Sequence, residues 1–427
     1  MLDPNLIRQN PELVKAGIAK KNYDPSLVDD FLAIDREWRE VTKEIDDLRA
    51  EQKKLSAEKK IDEAKEIKFK IHAAEADLKK LEEKRDEVLY HIPNIPSDDT
   101  PVSKDDSGNQ ILRTWGRPKK FTFKPKDHIE IGEELDIIDV GRAAKVSGTR
   151  FGYLKGGAAL LEFALVQYAF TALRDEGLLK KIADQIEPGY SPKAFIPVVP
   201  PVMIRPDVYK KTARLDPGQE EERYYLPKDD LYLIGSAEHT LVPLHMDEVL
   251  SEDTLPIRYV GFSTSFRREA GSYGKDTKGI LRVHQFDKVE METFTRPEDS
   301  LREQEFIVAL QEYLMQSLEL PYQVVLISSG DMGAPDFRQI DIETWMPSQN
   351  RYRETHSSDF IGDYQPRRLN TRVKRKNGKN EFVHVNDATV FAIGRTIIAI
   401  LENYQQKDGS VLIPDVLQKH MGMKKIA

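Results

Sequence analysis

The sequence predicts an α+β protein, an antiparallel sheet flanked by helices and preceded by an N-terminal antiparallel coiled-coil hairpin. Three features carry that reading. Residues 30–90 contain neither glycine nor proline and are dominated by Glu, Lys, Asp, Leu and Ala, the composition of uninterrupted helix. Beyond residue 190, short strand-like runs follow one another with Pro or Gly punctuation, which points to an antiparallel sheet without regular intervening helices. At 427 residues the chain also exceeds the size at which one hydrophobic core keeps growing, so at least two units are expected.

Within the helical stretch, apolar or tolerated residues alternate at spacings of four and three through Ile34, Trp38, Val41, Ile45, Leu48, Gln52 and Leu55, the seam of a coiled coil. A second series runs through Ala64, Ile67, Ile71, Ala74, Leu78, Leu81, Arg85 and Val88, with only Arg85 out of character. The phase breaks near residues 59–62, so the two seams should face each other across a hairpin whose tip lies there. At ~1.5 Å per residue, a helix of about 29 residues extends ~43 Å, and the arm should project. Lysines gather toward the tip at Lys53, Lys54, Lys59, Lys60, Lys65, Lys68 and Lys70. From charge alone these read as the ordinary solvated faces of a coiled coil.

The segment HIPNIPSDDTPVSKDDSGN is rich in Pro, Ser and Asp and reads as a linker. It places an N-terminal unit at 1–103 and a body at 104–427, with the first structured stretch of the body near Ile111. A helix is predicted over 158–176, ending before Gly177. Strand-like runs follow in FIPVVPPVMI, YYLPKDDLYLIG, IRYVGFSTSF, LRVHQFDKVEMETF, YQVVLISSG and RQIDIETWM, and a last helix is predicted over 390–404.

Composition bounds the function. Apolar residues at 39% can fill a core, while 32% charged residues require one unusually polar segment, which the arm supplies. The absence of cysteine excludes disulfides and thiolate zinc sites and makes a cytoplasmic location the expectation. No apolar run approaches the roughly 18 to 20 residues that cross a bilayer, and no targeting signal is read at the start. A net charge of -8 argues against a chain that coats DNA or RNA indiscriminately, so any RNA contact must use local basic patches.

Three clusters in the body carry chemistry. Phe266, Arg267, Arg268 and Glu269 end one strand-like run, which the glycine-bearing AGSYGKDTKGI joins to a second, LRVHQFDKVEME. Arg267 and Glu269, two apart on a strand, would share a face, the arginine suited to a phosphate and the carboxylate to an amino group. Alone, such a pair is more often a surface pair. Arg353 to Ser357 follows the alternating strand IDIETWM and spaces Glu354 and Ser357 three apart, hard oxygen ligands of the kind magnesium takes beside phosphates. His356 reads as a hydrogen-bonding group in a turn rather than a general base. NDATVFAIGRT would open the last helix, where Gly394 permits close approach and Arg395, set among apolar residues, needs an anionic partner. A neighbouring carboxylate would serve it as well as a ligand.

In this order the clusters resemble motifs two and three of class II aminoacyl-tRNA synthetases, and VVPPVMIRPDVY resembles the proline-bearing motif one. The helical arm ahead of the body narrows the resemblance. With LYLIGSAEHTLVPLH, FRREAGSYGKDTKGILRVHQFDKVEME, GDMGAPDFRQIDIETWMPSQNRYRETHSSDFIGDYQPRRLNTR and IGRTIIAILENYQ, the chain is similar to the bacterial-type seryl-tRNA synthetase family over essentially its whole length.

That resemblance implies activation of L-serine with ATP to seryl-adenylate, then transfer to the 3' end of tRNA(Ser), and of tRNA(Sec) where one exists. Arg267 would bridge the serine carboxylate and the α-phosphate, Glu269 would read the adenine amino group, and Phe286 would stack on the base. Arg395 would hold the γ-phosphate or cover the other adenine face, making Arg267 and Arg395 the catalytic pair. Arg268, Arg282, Val283, Thr355 and His356 fall in the same ATP-binding stretches. Glu354 and Ser357 match the metal positions, with Mg2+ rather than zinc expected. Ser236, Ala237 and Glu238 stand where the family usually has Thr-Ala-Glu, and with Arg267, Glu290 and Thr389 they would hold serine. A site built to bond a substrate hydroxyl rejects the analogue lacking it by ~10⁴ to 10⁵, so alanine would need no editing domain. Two further departures are NDATVFAIGRT, where many members have an asparagine- and glycine-bearing stretch, and SSDFIGDYQ, in place of a serine-cysteine-serine-asparagine run. The arm would grip the long variable arm of serine tRNA across a homodimer by RNA shape, with the tip lysines on phosphates. Two alternatives are a serine-adenylating ligase with a non-tRNA acceptor and an inactive structural or RNA-binding relative.

Overall fold

The computed structural model describes residues 1–215, 219–269 and 278–427. The chain divides into two compact units, Met1–Pro96 and Ser97–Ala427. The division falls ahead of the expected 103 because the residues after Pro96 are tied into the second unit. The Ser97 amide donates to the Phe337 carbonyl at 2.7 Å, Arg338 donates to Asp99 at 2.8 Å, and the Ser329 amide donates to the Pro101 carbonyl at 2.8 Å. Most of the glycine-bearing loop expected after Glu269, residues 270–277, lies outside the described residues.

In the first unit, helices α1 (Ser26–Ala57) and α2 (Ile61–His91) form the hairpin. The pairs Asp35–Arg85, Trp38–Glu82 and Arg49–Glu75 run in opposite directions along the two helices, which fixes them antiparallel. Both seams face inward. Ile45, Ala64, Ile67 and Ile71 are buried, the remaining seam residues are half-buried, and the tip lysines are all exposed. The chain turns at Glu58, Lys59 and Lys60, with Lys59 at φ 59°. Arg85, the misfit in the seam, donates to Asp35 at 2.9 Å, and Asp35 is fully buried. Arg8 makes a two-pronged contact to the same carboxylate at 2.7 Å, and Arg39 lies 3.2 Å from it. Ile7, Val14 and Ile18 of the short helices Pro4–Gln9 and Pro11–Lys20 are fully buried, as are Val28, Phe31, Leu89 and Ile92 of the same unit.

The second unit is built on an eight-stranded sheet. Its strands are β1 (Gln110–Trp115), β2 (Ile196–Val198), β3 (Ile257–Phe266), β4 (Gln285–Thr295), β5 (Tyr322–Leu326), β6 (Arg338–Met346), β7 (Arg351–Gly362) and β8 (His384–Ala392). They lie in the order β1-β5-β6-β7-β8-β4-β3-β2, antiparallel except that β2 runs parallel to β3. Helices α3 (Gly156–Ala172), α4 (Ser300–Ser317) and α5 (Ile393–Tyr404) cover one face. Leu165, Phe306, Ile307, Leu310, Leu314, Ile397 and Leu401 from these helices pack with Val289, Met291, Ile340, Ile342 and Val390 from the sheet.

Several predicted elements are corrected. The helix predicted over 158–176 stops at Ala172, because Asp175 accepts from the Leu178 amide and caps a separate helix, Glu176–Ile186. The helix predicted over 390–404 starts at Ile393, since residues 384–392 continue as a strand paired to β4. NDATVFA is therefore strand, not helix. Arg353 to Ser357 lies within the long strand β7, so His356 is not in a turn. Strands without intervening helices were expected, yet α4 intervenes, with Phe306, Ile307, Leu310 and Leu314 at helical spacing. No single helix among the described residues is long and apolar enough to cross a membrane.

Candidate active site

A cavity of about 580 Å³ opens on the face of the sheet away from the helices. Strand alternation explains much of its wall. On β4, Phe286, Lys288 and Glu290 line the cavity, while Val289 and Met291 between and beyond them enter the helix-covered core. On β8, Asp387 and Thr389 line it, and Ala388 and Val390 point to the core.

Alternation alone would place Glu354 and Ser357, three apart, on opposite faces. Both line the cavity. The register shows why: Ile342 pairs with His356 and the next residue, Glu343, pairs with Glu354, so Thr355 is an extra residue in β7. Such a β-bulge resets the phase of the strand. A second one occurs on β8, where Val289 faces Phe391 and Glu290 faces Thr389, leaving Val390 over. It allows Thr389 and Ala392, also three apart, to reach the same cavity.

Arg267 and Glu269 also line the cavity, but not as a pair on one strand. β3 ends at Phe266, and Glu269 has φ 53°. Arg267 donates through Nε to the Gly235 carbonyl at 3.1 Å, and its guanidinium sits 5.3 Å from the Phe286 ring centre. Glu269 takes a contact of 3.3 Å from Arg282. Arg395, in the first turn of α5, reaches Glu354 at 3.0 Å through both its backbone and its carboxylate oxygen. A Cβ on Gly394 would lie 3.3 Å from the Ile280 carbonyl, so this glycine does permit a close backbone approach.

The charges sort into two groups. Burial, Arg223 and Arg395 all pull Arg267 below the usual arginine pKa, a crowding of positive charge that an incoming anion would relieve. Partial desolvation at the cavity wall pushes Glu354 upward although about half of its side chain is exposed, but Arg395 and Arg267 outweigh it and leave its carboxyl below the ordinary value. Elsewhere on the wall, Glu238, Glu290 and Asp387 can bring oxygens within 4.8 Å of one another. Burial raises Glu290 to about 7 against the pull of Lys288, which lies 2.7 Å away. Arg214 is shared among four acids: Glu238 at 2.5 Å, Asp359 at 3.4 Å, Asp387 at 3.6 Å and Asp336 at 3.8 Å. One guanidinium cannot keep all four ionised, and burial drives Asp359 and Asp387 well above the usual carboxylate range.

Comparison with known proteins decides the family. A model described as the seryl-tRNA synthetase N-terminal domain matches residues 1–96, and one described as the tRNA synthetase class II core domain (G, H, P, S and T) matches residues 223–404. The serine--tRNA ligase of Dictyoglomus thermophilum is 42% identical, over 100% of this chain and 99% of the relative. That of Coprothermobacter proteolyticus is 40% identical over 97% and 98%. The chain belongs to the seryl-tRNA synthetase family. A crystal structure of seryl-tRNA synthetase from Pyrococcus horikoshii complexed with ATP superimposes with a TM-score of 0.90 at 39% identity, covering 100% of this chain and 99% of that one.

Of the residues that resemblance to seryl-tRNA synthetases singled out, Glu238, Arg267, Glu269, Arg282, Val283, Phe286, Glu290, Glu354, Thr355, Ser357, Thr389 and Arg395 line this one cavity. Ser236, Ala237, Arg268 and His356 do not. Ser236 is buried behind the wall and accepts from Lys288 at 3.4 Å, and the Ala237 side chain packs against Gly261. Arg268 turns away to donate to the Arg223 carbonyl at 2.8 Å, with its guanidinium over Tyr224. His356 is fully buried, lies 2.8 Å from the Thr355 hydroxyl, and is held by burial at about 4, so it is neutral near pH 7.

Sequence reasoning missed Arg214, Arg223, Lys288, Asp341, Asp359 and Asp387. Lys288 carried a usable signal, since it alternates with Phe286 and Glu290 along one strand. Arg214 carried none: it lies outside the strands and ahead of the matched class II core.

Proposed function

We propose that this chain is a serine--tRNA ligase whose cavity condenses L-serine with ATP and then charges tRNA(Ser), and tRNA(Sec) where present. The observation that carries the reading is a single cavity lined by Arg223, Arg267 and Arg395 and by the acids Glu238, Glu290 and Asp387 with Thr389. Clustered arginines fit phosphates, and buried carboxylates beside a hydroxyl fit an ammonium group and a short alcohol.

In the first step a serine carboxylate oxygen attacks the α-phosphorus of ATP, the bond to the β-phosphate oxygen breaks, and seryl-adenylate and pyrophosphate result. In the second, the terminal ribose hydroxyl of tRNA attacks the acyl carbon and AMP leaves. Neither step needs a protein nucleophile, so positioning and charge stabilisation do the chemistry. Arg267 bridges the serine carboxylate and the α-phosphate, where negative charge accumulates. Phe286 and Arg395 hold the nucleotide, with Glu269 at the adenine amino group and Arg282, Val283 and Thr355 along its path. Glu238 and Glu290 receive the serine ammonium, and Thr389 its hydroxyl.

The ionised Glu354 and the Ser357 hydroxyl, both on the cavity wall, form a hard oxygen pair that suits Mg2+. They would hold the ion with ATP, where it supplies neutralisation of phosphate charge. The exposed lysines at the arm tip serve as phosphate contacts for the tRNA. Helix α3 is apolar on nearly all sides and leaves Leu160 and Phe163 exposed, which supports a homodimer. We place the enzyme in the cytoplasm.

Charging of total tRNA with each amino acid in turn tests the whole reading. Serine alone should be attached, and deletion of residues 32–89 should abolish charging while leaving serine-dependent exchange of pyrophosphate into ATP. Exchange without charging by the intact chain would favour a non-tRNA acceptor, and loss of both an inactive relative.

A further inference from the structure

We propose that Gln311 is a positioning residue for adenylation, a clamp across the fork where strands β7 and β8 separate; this rests on the ligase reading above. The two strands pair from Gly362↔Val385 up to Ser358↔Ala388, and their pairing ends there. Directly beyond that last pair stand Ser357 and Thr389, the residues assigned to the metal and to the serine hydroxyl. Gln311, fully buried on α4 behind the sheet, donates through Nε2 to the Ser357 carbonyl at 2.9 Å and to the Thr389 carbonyl at 2.8 Å. One amide group thus spans both strands at the edge of the cavity.

The end of the β7–β8 pairing gives the clamp its meaning, and both β-bulges lie close to it. Thr355 on β7 and Val390 on β8 are the extra residues, and each lies next to or within two positions of a carbonyl that Gln311 holds. These bulges lie in the β6–β7 and β4–β8 ladders, where Ser357 and Thr389 keep Asp341 and Glu290 as partners, whereas across the fork the β7–β8 pairing stops one residue short of both. Gln311 takes up the Ser357 and Thr389 carbonyls just past the last β7–β8 pair and fixes the separation of the two strands, and hence the separation of the nucleotide side of the cavity from the serine side. Among the described residues its own Oε1 has no hydrogen-bond partner. Burying an amide with one unpaired end is unfavourable, so what retains it there is the pair of bonds its nitrogen makes.

Gln304, seven residues earlier on the same helix face, is the natural control. It is equally buried and donates to the Arg338 and Ser358 carbonyls, each at 3.1 Å. Those carbonyls belong to strands β6 and β7, which remain paired there, and neither Gln304 nor its partner Arg338 lines the cavity.

The test is steady-state pyrophosphate exchange in the full-length protein carrying Gln311→Met or Gln304→Met, with thermal unfolding measured alongside. A misplacement of reacting groups by about 1 Å costs on the order of 100-fold in rate, so Gln311→Met should lower kcat by about 10- to 100-fold. The KM values for ATP and serine should each stay within about threefold, because each half of the site remains intact. Gln304→Met should lose comparable thermal stability and keep kcat within about threefold. The proposal is overturned if Gln311→Met keeps wild-type kcat, or if Gln304→Met loses as much. Absence of serine-dependent exchange in the wild-type protein would instead refute the ligase reading and this proposal with it.

Discussion

The base of the arm and the wall of the cavity both bury charge, and they treat it in opposite ways. At the arm, Asp35 is enclosed by Arg8, Arg39 and Arg85. Burial pushes its carboxyl up, but the bonds from Arg8 and Arg85 reverse this and leave it below the ordinary value. That carboxylate is satisfied by the protein itself. In the cavity, burial and the like charges of Arg223 and Arg395 together outweigh the pull of Glu269 and Glu238, and the Arg267 pKa is lowered rather than raised. Its charge awaits a partner from outside. A buried charge that the chain neutralises internally is part of the architecture, whereas one crowded by its own sign marks a ligand site.

The largest expected effect follows from that contrast. Arg267→Ala should lower the rate of serine-dependent pyrophosphate exchange by ~10² to 10³, the scale of losing one charge-stabilising donor in a transition state. Retention of wild-type exchange would break the comparison on the cavity side. Next, Asp35→Ala removes the buried carboxylate that the partly exposed Arg8, Arg39 and Arg85 share and should destabilise the arm unit by ~2 kcal/mol in chemical unfolding, with exchange kcat unchanged. A fall in kcat would show that the arm base is not purely structural.

The smallest effect concerns Glu290. Its carboxyl is raised to about 7 by burial in the free protein, so it is neutral below that pH and ionised above it. Only the ionised form attracts the serine ammonium. kcat/KM for serine, which reports the free enzyme, should therefore fall by about tenfold per pH unit below 7. Glu290→Gln should remove that dependence along with most of the binding. A flat profile in the wild-type protein would place the ammonium elsewhere.

The same contrast explains what was legible in the sequence. The hairpin was legible almost residue by residue, because a coiled-coil seam is a local periodic pattern and its one misfit, Arg85, is answered by a carboxylate on the facing helix. The cavity was legible as a set of motifs and not as a geometry. Glu354 with Ser357 and Thr389 with Ala392 share a face only through bulges at Thr355 and Val390, and a bulge is a property of strand register that one strand's sequence does not carry. His356 was placed in a turn because the bulged strand does not alternate. α4 went unread since its buried face holds Glu303, Gln304 and Gln311 among the apolar residues, which blurs the period. Arg214 reaches four acids through a loop, a pairing that only the folded chain reveals.

Thermal unfolding of the intact chain with and without ATP and Mg2+, in wild type and Arg267→Leu, tests the central contrast most directly. Removing a crowded positive charge should leave the unliganded Tm unchanged or higher and should erase most of the upward shift that ATP gives the wild type. A drop in the unliganded Tm with the ATP shift intact would mean that Arg267, like Asp35, serves the architecture and not a ligand.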